Sequence, residues 1–182
     1  MKNWFSSENI GQSGPAQTLS AAFVLAGMVI TIGSALAFEH IGGFAPCALC
    51  LEQRVPYYWG MPIVALGLIF SWFNWSGLLV RLMLFAGLVC LLATIYLGSY
   101  HSGVEWGFFE APASCAAGFS ATSSDAGSLL ENLATAKPPS CADAAGRFLG
   151  LSFAGWNVVA ASFLAAIAFR GTFGNPGLGP KN

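Results

Sequence analysis

Five cysteines hold most of the reactive chemistry available to this 182-residue chain: Cys47, Cys50, Cys90, Cys115 and Cys141. Two of them form a C-x-x-C within Pro46-Cys47-Ala48-Leu49-Cys50. Cys115 and Cys141 form a wide pair, 26 positions apart. A C-x-x-C is a weak staple, because it closes a very small loop and removes little chain entropy. The same spacing suits reversible exchange: one thiol can resolve a mixed disulfide made by the other, and the motif lowers thiol pKa. Four thiolates can also hold zinc, but structural zinc sites use two short-spaced pairs, so no metal is expected. Leu51 follows Cys50, so the C-x-x-C-H attachment for haem is absent.

Two further side chains stand where they could assist. Arg54 lies four residues after Cys50. In a helical turn the two would face the same way. A guanidinium remains charged at any relevant pH and would favour a Cys50 thiolate or an anionic partner. Pro56 complicates this, because it biases Val55 away from the α region. On that reading the next helix begins near Pro56 and Cys47–Arg54 forms a separate turn. His101 follows Tyr100 at the end of an apolar run and can donate a hydrogen bond or a proton to a bound acceptor. His40 reads as a boundary residue, and Cys90, inside an apolar run, as a small core residue.

The elements that must position these groups are apolar. The chain is 55% hydrophobic and 8% charged with net charge -1, against about 25% charged in an ordinary soluble domain. So few charges cannot coat a soluble globule of this size. The same balance argues against disorder and against nucleic-acid binding. Runs without Asp, Glu, Lys, Arg or His span 19–38, 57–79, 82–100 and 148–169. A bilayer core needs about 20 helical residues, so four transmembrane helices are predicted, at about 19–38, 57–73, 82–100 and 150–169. Ser34-Ala35-Leu36-Ala37 resembles a signal cleavage site. The long segment before it, with Lys2 and Glu8, and the length of the apolar run favour a retained span.

Four spans put both termini on one side. That side holds four of the seven Lys and Arg (Lys2, Arg81, Arg170, Lys181); the other holds Arg54, Lys137 and Arg147, spread over longer loops. The termini are therefore placed in the cytoplasm, and the cysteine-bearing loops, about 39–56 and 101–149, outside. Disulfides persist on that side of the membrane. Within the second loop, Leu129, Leu130 and Leu133 could form the apolar face of a short helix capped by Ser124 or Asp125. The predicted fold is an all-α membrane protein, a four-transmembrane-helix bundle with two external cysteine-bearing loops.

The run Pro46-Cys47-Ala48-Leu49-Cys50-Leu51-Glu52-Gln53-Arg54 before the second span resembles the bacterial disulfide bond formation protein B (DsbB) family. So do the later Cys115 and Cys141 and the run Gly146-Arg147-Phe148-Leu149-Gly150-Leu151 entering the fourth span. The resemblance implies an inner-membrane thiol:quinone oxidoreductase. Its partner would be a periplasmic thioredoxin-fold oxidase (DsbA-like), which it reoxidises, and its cofactor ubiquinone or menaquinone. By the same resemblance Cys115 forms the mixed disulfide with the oxidase and Cys141 exchanges with Cys47. Cys50 is then the thiolate stacked against the quinone, helped by Arg54 and with His101 near the ring. The physical requirements agree with such a relay. Exchange needs sulfur attack at close range, and the chain from Cys141 to Phe153 can reach up to about 40 Å. A vitamin K epoxide reductase-like enzyme would place the loop pair before the C-x-x-C, the reverse of the order here. A transporter or scaffold with structural disulfides would call for polar or ionisable groups within the spans, and the four runs offer Ser, Thr, Asn and Cys90 but no Asp, Glu, Lys, Arg or His.

Overall fold

A computed structural model describes residues 13–73, 75–116, 140–144 and 146–174. Four long helices dominate: α1 (Pro15–His40), α2 (Ala48–Trp72), α3 (Gly77–Glu105) and α5 (Phe153–Phe173). Each is long and apolar enough to cross a bilayer. A short α4 (Ala113–Ala116) and a two-stranded hairpin, β1 (Arg147–Phe148) and β2 (Leu151–Ser152), lie between α3 and α5. The predicted short helix around Leu129 falls outside the described residues.

The helix ends follow local chemistry. α1 opens with Pro15, whose missing N–H costs nothing at a first helical position, and the Gly14 N–H donates to Gln17 Oε1 at 3.2 Å. α5 is capped by Ser152, whose Oγ accepts from the Gly155 N–H at 3.2 Å. In the hairpin before it, Arg147 pairs with Ser152 and Phe148 with Leu151. Its two turn residues, Leu149 and Gly150, have φ of 52° and 83°. Two successive positive φ values match the twist of a tight hairpin.

α2 corrects the expectation of a helix starting near Pro56. The helix is continuous from Ala48, with Pro56 and Pro62 inside it. Pro56 removes one hydrogen bond, to the carbonyl of Glu52, and Glu52 is exposed, so water can replace the lost donor. Cys47, not Pro56, begins the helix, because its side chain accepts from the Cys50 N–H. α3 likewise runs past Tyr100, so His101 lies within the helix instead of closing it. These overhangs of α2 and α3 carry the C-x-x-C, Arg54 and His101 on rigid helical backbone.

Neighbours around the bundle are α1–α2, α2–α3, α3–α5 and α5–α1. Each helix turns one stripe inward. On α2 it is Leu49, Gln53, Tyr57, Gly60, Val64, Gly67 and Ser71, at three- and four-residue steps. The core joins Val24, Met28, Val64, Leu84, Leu91, Ala161 and Ala168. Large apolar side chains also cover the outside, including Phe23, Ile30, Trp59, Tyr96 and Phe163, as expected where the solvent is lipid. Gly98 brings α3 close to α5: a Cβ there would lie 2.7 Å from Val158 Cγ2 and 3.3 Å from Gln53 Oε1. The chain is a multi-pass membrane protein with an all-α bundle.

Candidate functional site: a cysteine relay beside a membrane cavity

The α2 N-terminus gathers the inner cysteines. Cys47 is the cap residue and Cys50 sits in the first turn, with their Sγ atoms 2.9 Å apart. Both are free thiols. The inward stripe of α3 brings buried His101 to the same point, its Nε2 3.6 Å from Cys47 Sγ. The orientation of the two thiols has Cys47 Sγ donating to Cys50 Sγ, but the other neighbours of Cys47 favour it as an acceptor. Cys47 also faces the Cys50 N–H at 3.4 Å, the His101 ring nitrogen and the helix N-terminus, so it is the better acceptor. The sulfur–sulfur contact with Cys50 holds the Cys47 thiol well below its ordinary range; burial opposes this, and the His101 bond reinforces it. The arrangement favours a thiolate at Cys47, with one proton shared between the two sulfurs.

The outer cysteines are joined. Cys115, in α4, and Cys141 form a disulfide with Cα atoms 5.8 Å apart. Cys47, Cys50 and Cys90 are free, so this is the one disulfide among the described residues. Cys141 is buried in a cluster with Cys47, Leu49 and Val104, against which Cys50, Tyr100 and Cys115 also pack. Cys115 is the more accessible partner, half-buried against a buried Cys141. The outer disulfide thus rests directly on the inner thiols.

On the other side of Cys50 lies a cavity of about 500 Å³ between α1, α2 and α5. Its walls include Phe38, Phe44, Phe153 and Trp156, with polar groups from Cys50, Gln53, Arg54, Tyr57 and Asn157. Phe38 and Phe153 pack at a tilt, with ring centroids 4.9 Å apart. Arg54 reaches the cavity one turn below Cys50, as the spacing predicts. Its guanidinium is paired with Glu39 at the end of α1, so it is not a lone charge.

Cys50 and Arg54 therefore line the cavity, whereas His101 is not among its lining residues and faces Cys47. Sequence reasoning missed Glu39, Gln53, Tyr57, Asn157 and Glu105. A signal for Asn157 was present, since an amide inside an apolar span is costly and usually has a purpose. Gln53 Nε2 lies 2.7 Å from His101 Nδ1, and Glu105 Oε1 lies 3.7 Å from His101 Nε2. The donor atoms of Cys47, Cys50 and His101 fall within 4.8 Å of one another, a spacing compatible with a metal ion.

Comparison with known proteins adds three findings. The family model described as "Disulfide bond formation protein DsbB" matches residues 17–170. An uncharacterized protein of Rickettsia prowazekii (strain Madrid E) is 26% identical over 132 residues, which is 72% of this chain and 73% of the relative. No solved structure matches.

Proposed function

The chain belongs to the DsbB family, membrane oxidoreductases of disulfide bond formation, and from that premise we propose that it reoxidises a periplasmic thioredoxin-fold oxidase and delivers the electrons to a quinone. The observation that carries this reading is a continuous line of groups. A disulfide with one accessible sulfur rests on a buried thiol pair, and that pair borders a membrane cavity. The proposed site is the inner membrane, with the cysteine segments in the periplasm.

The steps balance as two successive exchanges. A partner thiolate attacks Cys115 Sγ, the Cys115–Cys141 bond breaks, and Cys141 leaves as a thiolate. The partner's second thiol then displaces Cys115, so the partner gains a disulfide and the outer pair gains two electrons and two protons. Cys141 next attacks the Cys47–Cys50 disulfide at Cys47. Cys115 closes the outer bond again, and the inner pair becomes a dithiol. The structure has the outer pair oxidised and the inner pair reduced, which corresponds to the end of this second exchange. Attack at Cys47 releases Cys50; the low thiol pKa of Cys47 then makes Cys47 a good leaving group when Cys115 attacks Cys141 in the Cys141–Cys47 mixed disulfide.

The cavity fits a flat apolar ring bearing hydrogen-bonding oxygens: aromatic walls, with Arg54, Gln53 and Asn157 as polar lining. These residues and Cys50 would hold a quinone, which when bound supplies an acceptor for two electrons and two protons. The Arg54 guanidinium orients an oxygen acceptor and favours negative charge there. The apolar walls keep water from the sulfur. In a direct test, purified protein in detergent is mixed with a reduced thioredoxin-fold oxidase and quinone. Quinone absorbance should fall with wild type and stay constant with Cys47→Ser. Constant absorbance with wild type would contradict the reading.

A further inference from the structure

Behind the cysteines runs a chain of four hydrogen-bonded side chains whose direction is fixed. Tyr57 O–H donates to Asn157 Oδ1 at 2.9 Å. Asn157 Nδ2 donates to Gln53 Oε1 at 2.8 Å. Gln53 Nε2 stands 2.7 Å from His101 Nδ1 and 3.3 Å from the Leu49 carbonyl oxygen. A backbone carbonyl can only accept. The Gln53 atom facing Leu49 and His101 must therefore be the nitrogen, and both of its hydrogens are used. Reversing the amide would set two oxygens against each other in a buried place. The polarity follows from that anchor: His101 Nδ1 accepts, so in the neutral ring Nε2 carries the hydrogen.

We propose that Gln53, Asn157 and Tyr57 are positioning residues that hold His101 with its Nε2–H turned toward Cys47 Sγ, making Cys47 the thiolate of the inner pair. The proposal rests on the reading of Cys47 and Cys50 as the redox pair. Gln53, Tyr57 and Asn157 also line the cavity, so one set of groups faces the cavity on one side and the reactive sulfur on the other. The polarity also argues against a metal at Cys47, Cys50 and His101, because a metal ligand needs the Nε2 lone pair that the chain converts to a donor. Other groups face this point. Cys50 and Arg54 come from α2, and Glu39 of α1 is paired with Arg54. Glu105 and Tyr100 come from α3; Glu105 Oε1 lies 3.7 Å from His101 Nε2, beyond hydrogen-bond distance, and its Oε2 is buried with no hydrogen-bond partner among the described residues. α5 contributes Asn157, and the Cys115–Cys141 disulfide does not titrate.

The test uses the full-length protein in detergent without quinone, with the rate of Cys47 alkylation mapped by mass against pH. Gln53→Met removes the donor to the ring. The loss of one hydrogen bond to a charged group should leave about tenfold less thiolate at a given pH, moving the alkylation midpoint up by about one unit. Tyr57→Phe, a milder change, should move it the same way by less. In a His40→Gln background His101 is the sole histidine, and imidazole ¹⁵N shifts report its tautomer. Wild type should carry Nε2–H; Gln53→Glu, which only accepts when ionised, should convert the neutral ring to Nδ1–H. An Nδ1–H tautomer in wild type, or an unchanged Cys47 profile in both Gln53→Met and Tyr57→Phe, would overturn the proposal. Quinone reduction measured in parallel separates the two readings. Turnover without the pH shift rejects only the chain, whereas absent wild-type turnover rejects the redox assignment beneath it.

Discussion

Arg54 offers the sharpest perturbation, because the structure gives it two jobs that a pair of variants can separate. Its guanidinium lines the cavity beside Cys50 and pairs with Glu39. The two side chains are 12% and 23% exposed, so both are largely withdrawn from water. In Arg54→Met, Glu39 loses its charged partner. A hydrogen bond to a charged group contributes about 1.5–3 kcal/mol, and partial exposure argues for the lower half, so stability should fall by about 2 kcal/mol. The double variant Arg54→Met, Glu39→Gln removes the stranded charge and should recover most of that loss. Activity should not follow the same course. If the guanidinium acts on an acceptor in the cavity, both variants lack it. A loss of about 2 kcal/mol of transition-state stabilisation corresponds to about thirtyfold in kcat/KM for quinone. Denaturation in detergent reads the first quantity and quinone-dependent turnover the second. Turnover that recovers in the double variant along with stability would show that Arg54 merely neutralises Glu39.

Other outcomes follow from the same geometry. Cys47→Ser or Cys50→Ser should abolish quinone reduction while the protein still inserts, checked by turnover and by membrane fractionation. Cys115→Ala should eliminate the mixed disulfide trapped with a thioredoxin-fold oxidase on non-reducing gels, whereas Cys141→Ala should let it accumulate, since Cys141 is the buried partner. For pH, the Cys47 value is lowered in the folded protein. The stabilisation by its thiolate is thus fully present above the ordinary thiol pKa of about 8.5 and is lost as pH falls through the lowered value. Alkylation of Cys47 should accordingly persist at neutral and mildly acidic pH, with the rate read by mass mapping.

The four spans were legible because bilayer insertion demands long runs without charge, and composition alone reveals those. The C-x-x-C and Arg54 were legible because their relation is local: four residues along one helix. What spacing concealed was everything joined through the bundle. Glu39 meets Arg54 only once α1 packs on α2, and Asn157 meets Gln53 across a sequence separation of 104. Pro56 misled because the rule for the preceding residue describes an average chain. Here a thiol cap and an exposed carbonyl let the helix pass through it. The family resemblance pointed His101 toward the quinone ring; its contact with Cys47, made because α3 continues to Glu105, was not legible in the spacing.

The most direct measurement of the relay is a single turnover followed by disulfide mapping. Protein with the outer pair oxidised and the inner pair reduced is mixed with one equivalent of quinone, quenched in acid at intervals and mapped by mass. The account predicts that a Cys47–Cys50 disulfide appears in step with one equivalent of quinol while Cys115–Cys141 stays closed. Adding reduced oxidase should then return the inner pair to thiols. Quinol formed without a Cys47–Cys50 bond, or an inner pair that stays reduced in the presence of quinone, would contradict it.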